Sequence, residues 1–118
     1  MRPPHSWLIL TTRYREDVRD PTPDQVAGAI AELGTRREDT KHPNAWLRLG
    51  LSDGRVLMLD AYTSGTVYFQ MFADPDDADP VTNRMARALA MDGIEKLFKM
   101  LAEGDVAGLN EALWENAV

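Results

Sequence analysis

The sequence predicts an α+β fold, in which an antiparallel sheet packs against two or three helices. Three short alternating segments separated by tight-turn signals predict a meander of three strands. A β-branched and aromatic segment near the N-terminus predicts one more strand, and segments with helical spacing flank the meander. At 118 residues, residues 1–118 are expected to form a single domain, with the element order β-α-β-β-β-α-α.

The N-terminal third predicts a strand followed by a helix. The strand covers Ser6–Tyr14, "SWLILTTRY", and a charged stretch follows it. In the next segment, "PTPDQVAGAIAELG", Thr22 is a predicted N-cap and Pro23 fits the first helical position. Gln25 completes a capping box with Thr22, and Gly34 is the glycine that ends the helix.

The middle of the chain predicts the meander. The strand-like segments "AWLRLGL", "RVLMLDAY" and "TVYFQMF" are separated by the turn signals "SDG" at 52–54 and "TSG" at 63–65. Because side chains alternate along a strand, the segments have two distinct faces. One face carries Leu47, Leu49, Leu51, Leu57, Leu59, Val67, Phe69 and Met71, and the other carries Trp46, Met58, Asp60, Tyr62, Tyr68 and Phe72.

The segment "VTNRMARALAM", residues 81–91, fits either a helix or a strand. Its alanines and the spacing of Val81, Met85, Ala88 and Leu89 favour a helix. A strand would place Arg87 on the same face as Met85. The residues alone favour the helix over 82–91, and the strand stays an alternative.

The C-terminal quarter predicts two helices. Asp92 and Glu95, three residues apart, form a capping arrangement for the first, which ends at Gly104. Asp105 is the predicted N-cap of a short last helix that continues through Trp114.

Composition and charge limit the function classes. The chain has no cysteine, which excludes a disulfide framework, a thiol nucleophile and a thiolate metal site. The net charge is −6, and residues 60–118 hold eleven Asp/Glu against four Arg/Lys. An acidic half disfavours nucleic acid and suits a basic protein partner, although solubility alone also explains it. No targeting segment or membrane span is visible, so we expect a cytoplasmic location.

The segment "FADPDDADP" concentrates four carboxylates, Asp74, Asp76, Asp77 and Asp79, between two prolines. A calcium loop starting at Asp74 needs glycine at its sixth position and glutamate at its twelfth, where this chain has Asp79 and Met85. The histidines, His5 and His42, have no zinc-binding pairing. No metal and no cofactor are therefore expected. The segment is either a solvated turn or an electrostatic contact loop.

No catalytic residue is predicted. Ser64 lies in a hairpin turn rather than a nucleophile elbow, and His42 lies in a polar loop. Asp60 lies within the apolar segment "VLMLDAY", where burial would raise its pKa and suit acid–base chemistry. No second catalytic group accompanies it, so a carboxylate on the more exposed sheet face is the favoured interpretation.

The aromatic face of the meander is the second candidate contact surface. Trp46, Tyr62 and Tyr68 all lie opposite the leucine face. Core packing under loops explains such a face, and so does a partner, because tryptophan, tyrosine and methionine are enriched in interface cores. Both explanations stay open.

The chain resembles the Imm1-type immunity proteins of bacterial polymorphic-toxin systems over roughly residues 6–115. The shared features are the first strand, the helix from Pro23 to Leu33, the "AWLRLGL" strand, the turn and the "GTVYF" strand. The tail "DGIEKLFKMLAEGDVAGLNEALWENAV" adds the closing helix, the glycine and Trp114. The resemblance implies a cytoplasmic antitoxin that binds a cognate toxin domain, blocks its active site and performs no chemistry. It also implies a strand at 83–91.

Three hypotheses follow. The leading hypothesis is a non-enzymatic immunity protein that binds a basic toxin domain. An alternative is a small-ligand module or enzyme with a pocket between sheet and helices, using Asp60, Tyr62 and His42. A homodimer joined through the sheet face is compatible with either. The expected contact residues of the leading hypothesis are Asp74, Asp76, Asp77 and Asp79, supported by Asp60, Tyr62, Tyr68 and Trp46.

Overall fold

A computed structural model describes residues 6–35, 40–112 and 114–116. Within them the chain forms one antiparallel sheet and three helices, which confirms the α+β prediction. The strands are β1 (Trp7–Thr11), β2 (Asp17–Arg19), β3 (Asn44–Gly50), β4 (Val56–Tyr62), β5 (Val67–Phe72), β6 (Thr82–Ala86) and β7 (Glu115–Asn116). The helices are α1 (Pro23–Leu33), α2 (Met91–Ala102) and α3 (Val106–Glu111).

The sheet has the strand order β2-β1-β3-β4-β5-β6-β7. From β3 to β7 each strand pairs with the next strand of the chain, and β3, β4 and β5 are the three strands of the predicted meander. Strand β1 pairs with β2 on one side and with β3 on the other, so α1 lies in the connection that leads from β2 back to β3. The short edge strands β2 and β7 were not predicted.

Helices α1 and α2 pack on the leucine face of the sheet and form the core with it. Burying each large aliphatic side chain contributes about 1.5–3 kcal/mol, which makes this layer the main source of stability. The fully buried residues include Leu10, Leu47, Leu49, Leu57 and Leu59 from the sheet and Ile30, Leu33, Ile94, Phe98 and Leu101 from the helices.

Helix α1 begins with the predicted cap. The Thr22 hydroxyl accepts a hydrogen bond from the Gln25 backbone N–H (3.2 Å), and the Gln25 side chain accepts one from the Thr22 N–H (2.8 Å). Pro23 occupies the first helical position, and Gly34 is the C-cap, as predicted. The local sequence therefore defines this helix at both ends.

The helix predicted over 82–91 is wrong, because residues Thr82–Ala86 form strand β6. Strand β5 needs a partner on its outer side, and β6 supplies the backbone hydrogen bonds, with Met85 opposite Tyr68. Leu89 then donates a backbone hydrogen bond to the Gly65 carbonyl (3.0 Å). Sheet pairing thus overrides the helix propensity of the alanines, and the strand over 83–91 implied by the family resemblance overlaps β6 only at 83–86.

The predicted ends of the two C-terminal helices also need correction. Helix α2 begins at Met91 with Ala90 as N-cap, so Asp92 lies in the first turn and does not cap it. An aspartate there still stabilises the positive end of the helix dipole. Helix α3 is capped by Asp105, as predicted, but ends at Glu111 and does not reach Trp114. Leu113 and His5 lie outside the described residues.

Candidate functional site

The sheet face opposite α1 and α2, called the open face below, brings together four of the predicted contact residues. The strand register places Trp46 directly opposite Asp60, and Asp60 directly opposite Tyr68. Side chains opposite each other on antiparallel strands have Cβ atoms about 5 Å apart, so the three are in contact range. Tyr62 lies two residues after Asp60 on the same face of β4. All four side chains are partly buried.

The Asp60 carboxylate is at the centre of this group. Its Oδ1 accepts a hydrogen bond from the Asn44 side-chain amide (2.8 Å), and the Tyr62 hydroxyl donates a second one. Burial raises the pKa of Asp60 above the ordinary value of 3.8, while these two hydrogen bonds and the charge of Arg15 oppose the rise. Desolvation is therefore stronger than the sum of the neutral donors and the nearby cation.

The two tyrosines form an aromatic pair beside the carboxylate. The rings of Tyr62 and Tyr68 have centroids 5.7 Å apart and an interplanar angle of 78°, an edge-to-face contact. Burial raises the pKa of the Tyr62 hydroxyl, and the negative charge of Asp60 raises it further. The hydroxyl therefore stays protonated at neutral pH and donates to Asp60.

Sequence reasoning missed Arg15 and Asn44, which complete the cluster. The Arg15 guanidinium lies over the Trp46 ring at 4.8 Å from its centroid, and its two terminal nitrogens each lie 3.3 Å from Asn44 Oδ1. Arg15 has a φ of +66°, in the left-handed region that arginine rarely adopts. The turn between β1 and β2 imposes this conformation, and the flanking sequence has no glycine or asparagine that could have indicated it.

The acidic loop between β5 and β6 lies at the other end of the open face. Its four aspartates are exposed. Asp74 Oδ1 accepts a hydrogen bond from the Asp76 N–H (2.9 Å), and the Asp74 carbonyl accepts one from the Asp77 N–H (3.1 Å). The loop follows Phe72, which pairs with Val56, and Val56 is four residues, about 13 Å, from Asp60 along β4. Asp74, Asp76, Asp77 and Asp79 are therefore not part of the Asp60 cluster.

The acidic loop nevertheless reaches the open face at its own end. Pro75 and Asp77 help to line a cavity of about 150 Å³ that also includes Arg48. The other lining residues are Trp7, Val56, Met58 and Phe72. The Arg48 Nε is buried there without a hydrogen-bond partner among the described residues. One end of the open face is thus bordered by carboxylates and the other holds the Asp60 cluster.

A larger cavity of about 350 Å³ lies between β1 and the two long helices. Its lining consists of Leu8, Pro21, Pro23, Val26, Lys99, Ala102 and Glu103. The polar residues expected for a ligand pocket lie elsewhere, because Asp60 and Tyr62 are on the opposite face. His42 contacts the Tyr14 ring, with centroids 5.0 Å apart and ring planes inclined at 59°. The three expected groups do not converge on this cavity.

No group of three His, Cys, Asp or Glu among the described residues is arranged to hold a metal ion. In the same ranges, the helices are too short or too polar to cross a bilayer. The Ser64 hydroxyl donates to Thr66 Oγ1 (3.2 Å), so its observed partner is a second hydroxyl and not a base.

Comparison of the chain with protein-family models, with curated proteins and with solved structures gives no match.

Proposed function

We propose that the protein is a non-enzymatic binding protein of the immunity type, which binds a basic toxin domain through its open face and blocks it in the cytoplasm. The observation that carries the proposal is the cluster of Trp46, Tyr62 and Tyr68 around Asp60 on a sheet face that none of the described helices covers. Partly buried aromatic side chains beside polar groups have the composition of an interface core.

The charge distribution supports a basic partner. The net charge is −6, and the aspartates of the acidic loop are exposed at the end of the open face. Such a field raises the association rate of a positively charged protein and weakens at high ionic strength. Toxin domains that act on nucleic acid are basic for the same electrostatic reason, so an acidic inhibitor complements their substrate groove.

The test uses the toxin domain encoded next to the gene for this protein, in a catalytically inactive form. Titration calorimetry should give a 1:1 complex in the nanomolar range, about −12 kcal/mol. Trp46→Ala and Tyr68→Ala should each weaken it by roughly 30-fold or more, because such residues act as hot spots worth about 2 kcal/mol. Lys96→Ala, on the exposed side of α2, is the control and should change little.

Absence of a complex at micromolar concentrations overturns the proposal, and so does an equal loss from the Lys96 variant. Sedimentation of the free protein is measured first. A stable dimer dissociated by Trp46→Ala would show that a second copy covers the open face, which also contradicts the proposed mode of toxin binding.

A further inference from the structure

A shallow cavity of about 240 Å³ lies beside the Asp60 cluster. Tyr62, Ser64, Thr66 and Tyr68 line it, so two walls are aromatic and two carry hydroxyl groups. Asp60 adjoins this cavity, because it accepts the hydrogen bond of Tyr62 and lies directly opposite Tyr68 in the sheet. The cavity therefore combines aromatic rings and hydroxyl acceptors, and the Asp60 carboxylate lies next to it without being one of its lining residues.

Asp60 has neutral hydrogen-bond donors and no ion-pair partner in the described part of the chain. The donors are the Asn44 amide and the Tyr62 hydroxyl. No basic nitrogen of residues 6–35, 40–112 or 114–116 forms a salt bridge with its carboxylate. A partly buried carboxylate without a direct ion pair loses hydration that neutral donors and a more distant cation only partly replace. A cation placed next to it would recover that free energy.

A cationic side chain of the protein itself, Arg15, already lies in the neighbouring position. Arg15 lies over Trp46 and contacts Asn44, and its charge interacts favourably with Asp60 from a distance. The Arg15–Trp46 stack shows that the aromatic rings of this face present a surface that a guanidinium can occupy. The Tyr62–Tyr68 side of the same carboxylate has no such occupant among the described residues.

We infer that the cavity formed by Tyr62, Tyr68, Ser64 and Thr66 beside Asp60 is a binding site for one arginine or lysine side chain of a basic protein partner. The inference rests on the proposed function for the source of that side chain, and on the cavity itself for its chemistry. The cation stacks on the tyrosine rings, hydrogen-bonds to the hydroxyls and pairs with Asp60. The negative charge of the whole protein favours the same class of ligand.

The first experiment tests the cavity without a partner protein. Nitrogen-15 NMR spectra are recorded during titration with N-acetylarginine amide at constant ionic strength, with N-acetylcitrulline amide as the neutral compound of nearly equal shape. The arginine compound should give saturable chemical shift changes at Tyr62, Tyr68 and Asp60. The dissociation constant should be about 10 mM, as expected for one exposed cation–π contact and one charge pair. The lysine analogue, N-acetyllysine amide, shows which cation binds more tightly.

Variants separate this site from general charge effects. Asp60→Asn should weaken arginine binding about five- to tenfold, and Tyr68→Leu about fivefold, by loss of roughly 1 kcal/mol each. Arg15→Gln should strengthen binding about twofold because it removes a nearby like charge. Arg55→Gln, an exposed arginine in the distant 52–55 turn, is the control and should change nothing. Equal shifts from arginine and citrulline, or unchanged affinity in Asp60→Asn, overturn the inference.

The second experiment uses the toxin complex, so that failures of the two proposals can be told apart. If Trp46→Ala and Tyr68→Ala weaken the complex but Asp60→Asn does not, the proposed function stands and the cation site is wrong. If no complex forms but the arginine compound binds as described, the cation site stands and the toxin-binding function is wrong.

Discussion

Two buried or partly buried charged side chains, Arg13 and Asp60, differ in how far hydrogen bonds compensate for their loss of hydration. Arg13 is completely buried and donates to three backbone carbonyls, those of Glu32 (2.7 Å), Thr35 (2.7 Å) and His42 (3.0 Å). It connects the end of β1 to the end of α1 and to the loop before β3. Asp60 has two neutral donors and a pKa raised by burial. Arg13 therefore stabilises the packing of three segments, whereas Asp60 is a group that a cation would stabilise.

Arg13→Lys should lower the free energy of unfolding by about 2–4 kcal/mol. A lysine ammonium cannot reproduce the fork of the guanidinium, so at least one buried carbonyl loses its partner. Urea unfolding at pH 7 measures the change. Arg19→Lys, at an exposed arginine of β2, is the matched control, expected within about 0.5 kcal/mol. A loss as small as that of the control would contradict the structural role of Arg13.

Asp60→Asn should change the pH dependence of stability. Because burial raises the pKa of Asp60 in the folded state, the folded protein binds more protons than the unfolded chain. The contribution of Asp60 to the free energy of unfolding is therefore fully present below pH 3.8, the ordinary pKa of the group. It is lost as the pH rises through the higher folded-state pKa. The variant lacks this decline. Between pH 3 and pH 7 its free energy of unfolding should therefore change more favourably than that of the parent.

Urea midpoints between pH 3 and pH 7 check this expectation for Asp60→Asn. Asp76→Asn, at an exposed position of the acidic loop, is compared over the same range. If the parent and the Asp60 variant show the same pH profile, burial does not govern the titration of this carboxyl.

At the scale of elements, the acidic loop is a turn built by its own first aspartate. The Asp74 side chain and carbonyl accept the N–H groups of Asp76 and Asp77, so the loop has a defined local shape. It holds Pro75 and Asp77 against the end of the open face. This placement makes the loop a candidate for steering a partner rather than for the central contact.

Replacing Asp74, Asp76, Asp77 and Asp79 with asparagine should separate stability from association. Stability should change by less than about 1 kcal/mol, since exposed loop substitutions cost little and asparagine can still accept at position 74. The association rate with a basic partner should fall several-fold at low salt and converge with the parent at high salt. Stopped-flow mixing measures it, and an unchanged rate would identify the loop as a solvated turn.

Strand β6 shows why an element can be assigned wrongly from its own residues. The spacing of Val81, Met85 and Leu89 suits a helix. The outer edge of β5, however, has backbone groups that need hydrogen-bond partners, and a strand satisfies them where a helix could not. The strand ends at Ala86, and the positive φ of Ala88 (+56°) lets the chain turn towards α2. Neither the vacant sheet edge nor this turn is visible in an eleven-residue window.

For the whole molecule, the decisive feature is a sheet with two unlike faces. The face under α1 and α2 is a close-packed aliphatic core, and the open face combines aromatic rings, arginines and a carboxylate. Adjacent residues of β4 therefore have different roles. Leu59 is fully buried in the core, whereas Met58 is partly exposed on the open face.

Leu59→Ala and Met58→Ala test this division within one strand. Leu59→Ala should cost about 2–5 kcal/mol, because it leaves a cavity in the core. Met58→Ala should cost under about 1.5 kcal/mol, because its side chain is already partly in water. Thermal and urea unfolding measure both. Similar losses for the two variants would mean that the open face is as fully packed as the core.

Local patterns in the chain were enough to predict helix α1, the three meander strands and the division of their faces. Capping boxes, turn residues and strand alternation act between residues two to four positions apart, so they can be read from a short window. The same alternation placed Trp46, Asp60 and Tyr68 on one face.

Contacts between distant segments decided the rest. Asn44 reaches Asp60 across 16 positions, Arg13 reaches His42 across 29, and β6 becomes a strand because β5 lies beside it. The Arg15 side chain lies over Trp46 because the β1–β2 turn meets β3, whereas the cavity beside Asp60 is formed within the β4–β5 hairpin. These long-range contacts depend on which backbone groups still lack hydrogen-bond partners after the local helices and hairpins have formed. No single segment of the sequence specifies that.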